Sequence, residues 1–347
     1  MTDVHDGPTG PNHEPPIFVM GCPGSGNNLV ALMLNAHSRI SVFLGTHYYP
    51  LFARQWHRYG RFDRRRPSER LARDFLETLR VRDLGVQLPS LVEVMAELTT
   101  PSFEGVLQAV LRAHARRSGK TRSGERTSRH FAYLPQILER YPASPVIFTM
   151  RDPRDVAYFL VGSLGRSLEG ICSDWTSAFD RCHEASRPVH VVRFEDLLTE
   201  PEPTVAGICS FLGEDFEPGM LDFYQHAPAH FHRIEHHRKL ASALDPSMIG
   251  RHRGLDAATV AYIEDACARG MAEMNYPRSS PPSKVALSSG AARRRSLWRQ
   301  ITDRIRYLGT DAHRWRVALT SWKIRLRVWA LYLLRLGFIR YPRSQAR

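Results

Sequence analysis

With 347 residues, 43% of them hydrophobic, the chain can bury the core of one large α/β domain and still carry an appendage. Five cysteines, odd in number, scattered and without a C-x-x-C pair, exclude a disulfide framework and a structural zinc site. The formal charge of +13 is unevenly spread: residues 281–347 hold 16 Lys or Arg against Asp303 and Asp311, which leaves the first 280 residues close to neutral.

Residues 1–15 are polar and rich in Pro and Gly, with neither a basic start nor an apolar stretch. They predict a disordered tail rather than a signal peptide, and a cytoplasmic protein. Residues 17–20 form a continuous apolar run of buried-strand length. Gly21-Cys22-Pro23-Gly24-Ser25-Gly26 follow as a glycine-rich turn, after which Leu29, Leu32 and Met33 recur at helical spacing. Residues 40–44 predict a second strand. The stretch 51–118 is helical in pattern, with breaks expected near Pro67, Pro89 and Pro101. A short strand at 124–127, a helix through Tyr133, Ile137 and Leu138, and strands at 146–150 and 189–193 complete the pattern. Strands alternating with helices predict an α/β fold over residues 16–278, its mostly parallel central sheet flanked by helices. Residues 279–292, SSPPSKVALSSGAA, read as a flexible linker, and residues 293–347 as a basic amphipathic helical tail.

Two stretches carry chemistry. In the first, Gly21, Gly24 and Gly26 let backbone N–H groups approach an anion at a helix start. Its spacing fits a nucleotide P-loop, but Asn27 and Asn28 stand where Lys and Ser or Thr should meet the phosphates and Mg²⁺. A nucleotide kinase, ATPase or GTPase is therefore disfavoured. In the second, Arg151 and Arg154 follow the strand at 146–150, Arg154 being placed as an exposed first-turn residue. Two such stretches predict one pocket holding a ligand with two separate phosphate groups. Cys22 reads as a small buried residue rather than a nucleophile. His226, His230, His232, His236 and His237 crowd one segment, yet no carboxylate or cysteine completes a recognisable ligand set, so no metal is assigned.

These stretches resemble the sulfotransferases that use 3′-phosphoadenosine-5′-phosphosulfate (PAPS). PGSGNNL is similar to the family's PRSGTTL, and GERTSRHFAYLPQILERYPASPVIFTMRDPRDV to its block from G-E-K-T-P to VRDPRDV. VVRFEDLLTEPEPTVAGICSFLG and GRHRGLDAATVAYIEDACARGMAEMNYP continue the match in the family's order, to about residue 277. The resemblance implies a P-loop NTPase-like sulfotransferase fold. It also implies PAPS as co-substrate without a metal, and sulfuryl transfer to a hydroxyl or amine on a small-molecule, lipid or glycan acceptor.

By the same resemblance, Pro23, Gly24, Ser25, Gly26, Asn27 and Asn28 hold the 5′-phosphosulfate, Arg151 the 3′-phosphate, and Arg251 closes over it. Arg126, in the family's Lys position, supplies a cation to the transferring group. His47 and His130 are the candidate bases, since a His of pKa ~6.5 accepts a proton near neutral pH. The segment from His226 to Arg253 corresponds to an acceptor-site lid. Four departures stand out: Gly24 replaces a cation, Asn27 and Asn28 replace paired Thr, Gly45 falls near a glutamate base, and Phe159 replaces a Ser. Returning a cation to position 24 is expected to be neutral or activating. The departures keep a second reading open, a catalytically impaired nucleotide-binding protein on the same fold.

In the tail, Trp298, Ile301, Ile305, Trp315, Trp322, Ile324, Trp329 and Leu333 interleave with Arg. Its longest apolar run, residues 328–334, is far short of the ~20 residues a membrane span needs. This pattern predicts peripheral attachment to the anionic inner face of a membrane. An ordinary helical hairpin with a solvated basic face is the plain alternative, and nucleic acid is disfavoured.

Overall fold

The apolar run after Pro16 becomes strand β1 (Ile17–Gly21), buried along its whole length. It sits at the centre of one sheet with β2 (Ile40–Leu44), β3 (Arg122–Arg126), β4 (Val146–Met150) and β5 (His190–Arg193). The strand order is β2-β3-β1-β4-β5 and every pairing is parallel. This computed structural model describes residues 14–82, 87–226, 242–279, 281, 319–320 and 322–327.

Parallel neighbours need crossovers rather than hairpins, so helices return the chain after each strand. Helix α1 (Asn27–Ala36) leads from β1 to β2. Between β2 and β3 lie α2 (Tyr48–Phe52), α3 (Arg65–Arg82), α4 (Leu91–Glu97) and α5 (Phe103–Arg117). Helix α6 (Leu134–Arg140) precedes β4, and α7 (Pro153–Leu164) and α8 (Leu168–His183) precede β5. Beyond β5 come α9 (Phe194–Thr199), α10 (Pro201–Leu212), α11 (Ala257–Ala266) and α12 (Ala268–Glu273).

Alternation along each strand feeds two cores. Phe18, Phe43 and Phe148 join Tyr48, Phe75 and Leu107 on one face. Val19, Val42 and Ile147 join Leu29, Leu32 and Ile208 on the other. Burying each such side chain contributes ~1.5–3 kcal/mol before chain entropy is counted, which is why β1, β2 and β4 carry only Ser41 and Thr149 as polar side chains.

The expected strands are all present; β3 starts at Arg122, two residues early, and β5 at His190, one residue late. Pro89 and Pro101 precede helix starts capped by Ser90 and Ser102, as their punctuation suggested. Pro67 breaks nothing. It lies in the first turn of α3, where a missing N–H leaves no hydrogen bond unmade. Arg154 also departs from expectation, being buried rather than exposed. Its guanidinium meets Asp152 at 2.6 Å, Glu264 at 2.7 Å and the Pro277 carbonyl at 2.9 Å. It thereby ties the start of α7 to α11 and the chain beyond it. Removing one partner from such a buried ion network typically costs ~3–5 kcal/mol.

The expected linker and most of the basic tail fall outside the described residues, as do His230, His232, His236 and His237. One stretch of the tail is described, and it touches the domain. Residues 319–320 and 322–327 are helical, Ile324 is buried within the first core, and Arg327 pairs with Asp74 and Glu77 of α3. Among the described residues, no helix is long and apolar enough to cross a membrane.

Candidate anion-binding site

The glycine-rich turn leaves β1 at the carboxyl edge of the sheet and opens directly into α1. Gly26 is the residue capping α1, at φ 93°, and contributes no side-chain cap; no acidic residue occupies the first helical turn. The N–H groups of that turn therefore carry the positive end of the helix dipole with no carboxylate from the turn itself to offset it. Such a terminus suits a phosphate or sulfate. Asn27 pins the turn by donating from Nδ2 to the Cys22 carbonyl at 2.9 Å. Ser25 Oγ and Asn27 Oδ1 are buried without a hydrogen-bond partner. A buried hydroxyl without a partner is costly unless a ligand completes it. Cys22 is fully buried, and burial pushes its thiol far above the ordinary range, so it is a packing residue here.

Arg151 follows β4, the strand beside β1, with Gly21 opposite Thr149. Its guanidinium is only 5% exposed and reaches two loops at once. Nη1 donates to the Gly24 carbonyl at 3.4 Å and Nη2 to the Met248 carbonyl at 2.6 Å. Its Nε is buried without a hydrogen-bond partner. Burial lowers its pKa, opposed by the carboxylates of Asp155, Glu195 and Asp152; the charge of Arg251 acts with burial. The Phe194 ring lies 4.3 Å from the guanidinium carbon. The same ring explains Gly26, where a Cβ would lie 2.6 Å from it.

The segment at Arg251–Gly254 is held over the start of α7 by one carboxylate. Asp155 accepts the N–H of Gly250 at 2.7 Å and of His252 at 2.8 Å, and meets His252 Nδ1 at 2.7 Å. Burial pushes Asp155 upward, but these hydrogen bonds and the Arg151 charge outweigh it and hold the carboxyl below its usual range. The glycine turn, Arg151 and the segment carrying Arg251 are thus one neighbourhood. Arg251 itself is exposed.

The remaining candidates cluster at the ends of β2 and β3. Arg126 ends β3, half-buried, in register with Val19 and Leu44, and its carbonyl accepts the Gly45 N–H at 2.7 Å. The neighbouring Glu125 points to the opposite face and is fully buried. It accepts hydrogen bonds from Thr46 Oγ1 at 2.7 Å and Thr127 Oγ1 at 2.9 Å, and its other oxygen touches His130 Nδ1. His130 is fully buried, with Nε2 accepting the Tyr49 N–H at 3.4 Å. One of its nitrogens thus holds the start of α2 and the other meets the carboxylate of β3. His47 is half-buried, at φ 51°, and its N–H donates to Thr127 Oγ1 at 3.0 Å.

Glu125 and Phe194 lie inside the motifs GERTS and VVRFEDL, which by themselves assign neither a role. The signal for Glu125 was a carboxylate on a strand otherwise destined for burial. For Phe194 it was an aromatic directly after β5, at the edge where the other candidates gather.

Gly24 and Phe159 are neighbours, so two of the departures form one local arrangement. A Cβ at Gly24, where φ is 87°, would lie 3.3 Å from Phe159 Cδ1 and 3.4 Å from Leu160 Cγ. The expectation that a cation at 24 is neutral or activating does not survive this geometry, because the backbone is left-handed and the space is taken. Gly24→Arg is expected to destabilise the fold by roughly 1–2 kcal/mol from the left-handed backbone alone. Crowding against Phe159 adds to that cost, and Gly24→Arg with Phe159→Ser should recover only the crowding part. Urea denaturation of both singles and the double measures the coupling, and strict additivity contradicts the assignment.

A doubly covered parallel sheet, with a glycine turn, a helix start and a buried arginine at one edge, defines an α/β protein equipped to hold an anionic ligand there. The chain belongs to the sulfotransferase family, whose sequence model matches residues 15–218. Similar solved structures include the sulfotransferase domain of the Synechococcus PCC 7002 olefin synthase. It is 17% identical, covers 78% of this chain and 98% of its own, and has a TM-score of 0.49. The sulfotransferase domain of the curacin biosynthetic pathway is 20% identical, covers 76% of this chain and 99% of its own, with a TM-score of 0.47. No curated protein matches the chain.

Proposed function

We propose that the protein transfers a sulfuryl group from PAPS to a hydroxyl or amine of a small-molecule, lipid or glycan acceptor. The observation that carries this reading is the approach of buried Arg151 to the carbonyl of Gly24, in the turn that opens α1. The two stretches then offer one ligand two anion sites. Bound PAPS supplies the activated sulfuryl group itself. The protein's task is positioning, anion stabilisation and removal of the acceptor proton.

In this reading the first-turn N–H groups of α1, with Pro23, Gly24, Ser25, Gly26, Asn27 and Asn28, hold the 5′ end. The partnerless Ser25 hydroxyl fits an anion there. Arg151 takes the 3′-phosphate as a charge-assisted fork, and Arg251 covers it from the segment anchored on Asp155. Arg126 at the end of β3 provides the cation that Gly24 lacks. His47, half-buried beside Thr127, accepts the acceptor proton. His130 and Glu125 position the β2–α2 connection that carries His47. The reaction is placed on the cytoplasmic side, with the basic tail holding the enzyme peripherally on the anionic inner face of a membrane.

The Phe159 ring beside Gly24, which leaves little room for a cation there, favours a second reading, a protein that keeps nucleotide affinity and has lost transfer. Incubation with PAPS carrying a labelled sulfuryl group, plus a mixed extract of hydroxyl acceptors, separates them. Label transfer without added metal supports the enzyme. Saturable binding of PAPS without transfer supports the impaired protein, and neither result with intact folded protein overturns both.

A further inference from the structure

The geometry points to a docked foot: the helical residues 319–320 and 322–327 are fastened to α3 on one side and present Leu319, Trp322 and Leu326 to an anionic lipid surface on the other. This rests on the membrane reading of the tail, and is independent of sulfuryl transfer.

The fastened side is explicit. Ile324 is 3% exposed and belongs to the core that contains Phe75 and Leu79 of α3. One helical turn on, Arg327 pairs with Asp74 and lies 3.0 Å from Glu77. Asp74 is buried and also accepts the Tyr59 hydroxyl at 2.8 Å. The opposite side is equally explicit: Leu319 is 49% exposed, Trp322 58% and Leu326 47%. The four-residue spacing of Trp322 and Leu326 places those two on one helical face. At about 100° per residue, Lys323 borders that stripe on one side and Arg325 on the other. Both are exposed.

Charge selects the occupant. The stripe lies in a segment with 16 Lys or Arg and two acidic residues. A second copy would bring the same excess of cations against it. A nucleic acid would engage the cations and leave the Trp and Leu in water. An anionic membrane satisfies both, taking Trp322, Leu319 and Leu326 into the interfacial layer and Lys323 and Arg325 to the headgroups.

The test uses full-length protein and co-sedimentation with vesicles of phosphatidylcholine alone or mixed with phosphatidylglycerol. Wild type should sediment only with the anionic vesicles, less so as salt rises. Trp322→Glu with Leu326→Glu should lower the partition coefficient at least tenfold and leave the melting temperature unchanged. Arg327→Ala should lower the melting temperature. If the double variant partitions like wild type, the stripe assignment falls while the tail reading stands. If wild type ignores anionic vesicles, both fall. A drop in melting temperature or in molar mass by light scattering for the double variant would mean the stripe faces protein, and that also overturns the proposal.

Discussion

Arg151→Ala is expected to bind 3′-phosphoadenosine 5′-phosphate ~2–5 kcal/mol more weakly, roughly 30-fold to several thousand-fold in Kd. Adenosine 5′-phosphate, which lacks the second phosphate, should lose far less. The size follows from where Arg151 sits. It is buried beside the Phe194 ring and already desolvated, so an added phosphate gains a charge-assisted pair without stripping water from the guanidinium again. Truncation also removes the donors to Gly24 and Met248, so the ligand-free melting temperature must be measured alongside. Isothermal titration with both nucleotides decides the matter. Equal losses for the two would mean that Arg151 braces the loops and does not read the 3′-phosphate. Arg151→Lys, which keeps the charge without the fork, should fall between wild type and alanine.

Arg126→Ala is expected to lower turnover by roughly 10²–10³-fold, the loss seen when one donor to a developing oxyanion is removed. Affinity for 3′-phosphoadenosine 5′-phosphate should change little. An interaction made chiefly in the transition state lowers kcat and kcat/KM together and leaves ground-state binding alone. The position of Arg126 supports the assignment, since its register partner Val19 lies two residues before the turn at Gly21. Single-turnover measurements with saturating PAPS give kcat free of product release. Wild-type turnover in Arg126→Ala removes it from the transition state and leaves α1 as the main source of stabilisation.

The sheet was legible in the sequence because strands buried on both faces are apolar nearly throughout, and 17–20, 40–44 and 146–150 each carry at most one polar residue. The glycine turn was legible for the opposite reason, three residues without side chains directly after such a strand. What could not be read was side-chain company across the sheet. His130 looked like a candidate base because a histidine in isolation shows only its pKa; its burial and its contacts with Glu125 and Tyr49 belong to the fold. Arg154 looked like a surface charge at a helix start, because the carboxylate that draws it inward, Glu264, is 110 residues away in sequence. Gly24 and Phe159 looked like two separate losses, since they become neighbours only after β1 and β4 pair. Pro67 misled for a local reason: a proline in a first helical turn and one that ends a helix have the same letter.

The pairing of β1 with β4 works as a ruler. Gly21 opposite Thr149 fixes how far the glycine turn stands from Arg151, two residues beyond Thr149, and strands ~4.8 Å apart set the lateral step. The gap between the two proposed anion sites is therefore written in backbone register, and ligands whose phosphates sit at another spacing cannot span it. Sliding β4 by one residue would do more than stretch that gap by ~3.3 Å. Side chains alternate along a strand, so the slip would turn the residue at the Arg151 position toward the opposite face of the sheet. A single-residue deletion near Thr149 is thus a change of measure: the two ends of a nucleotide no longer find their places together.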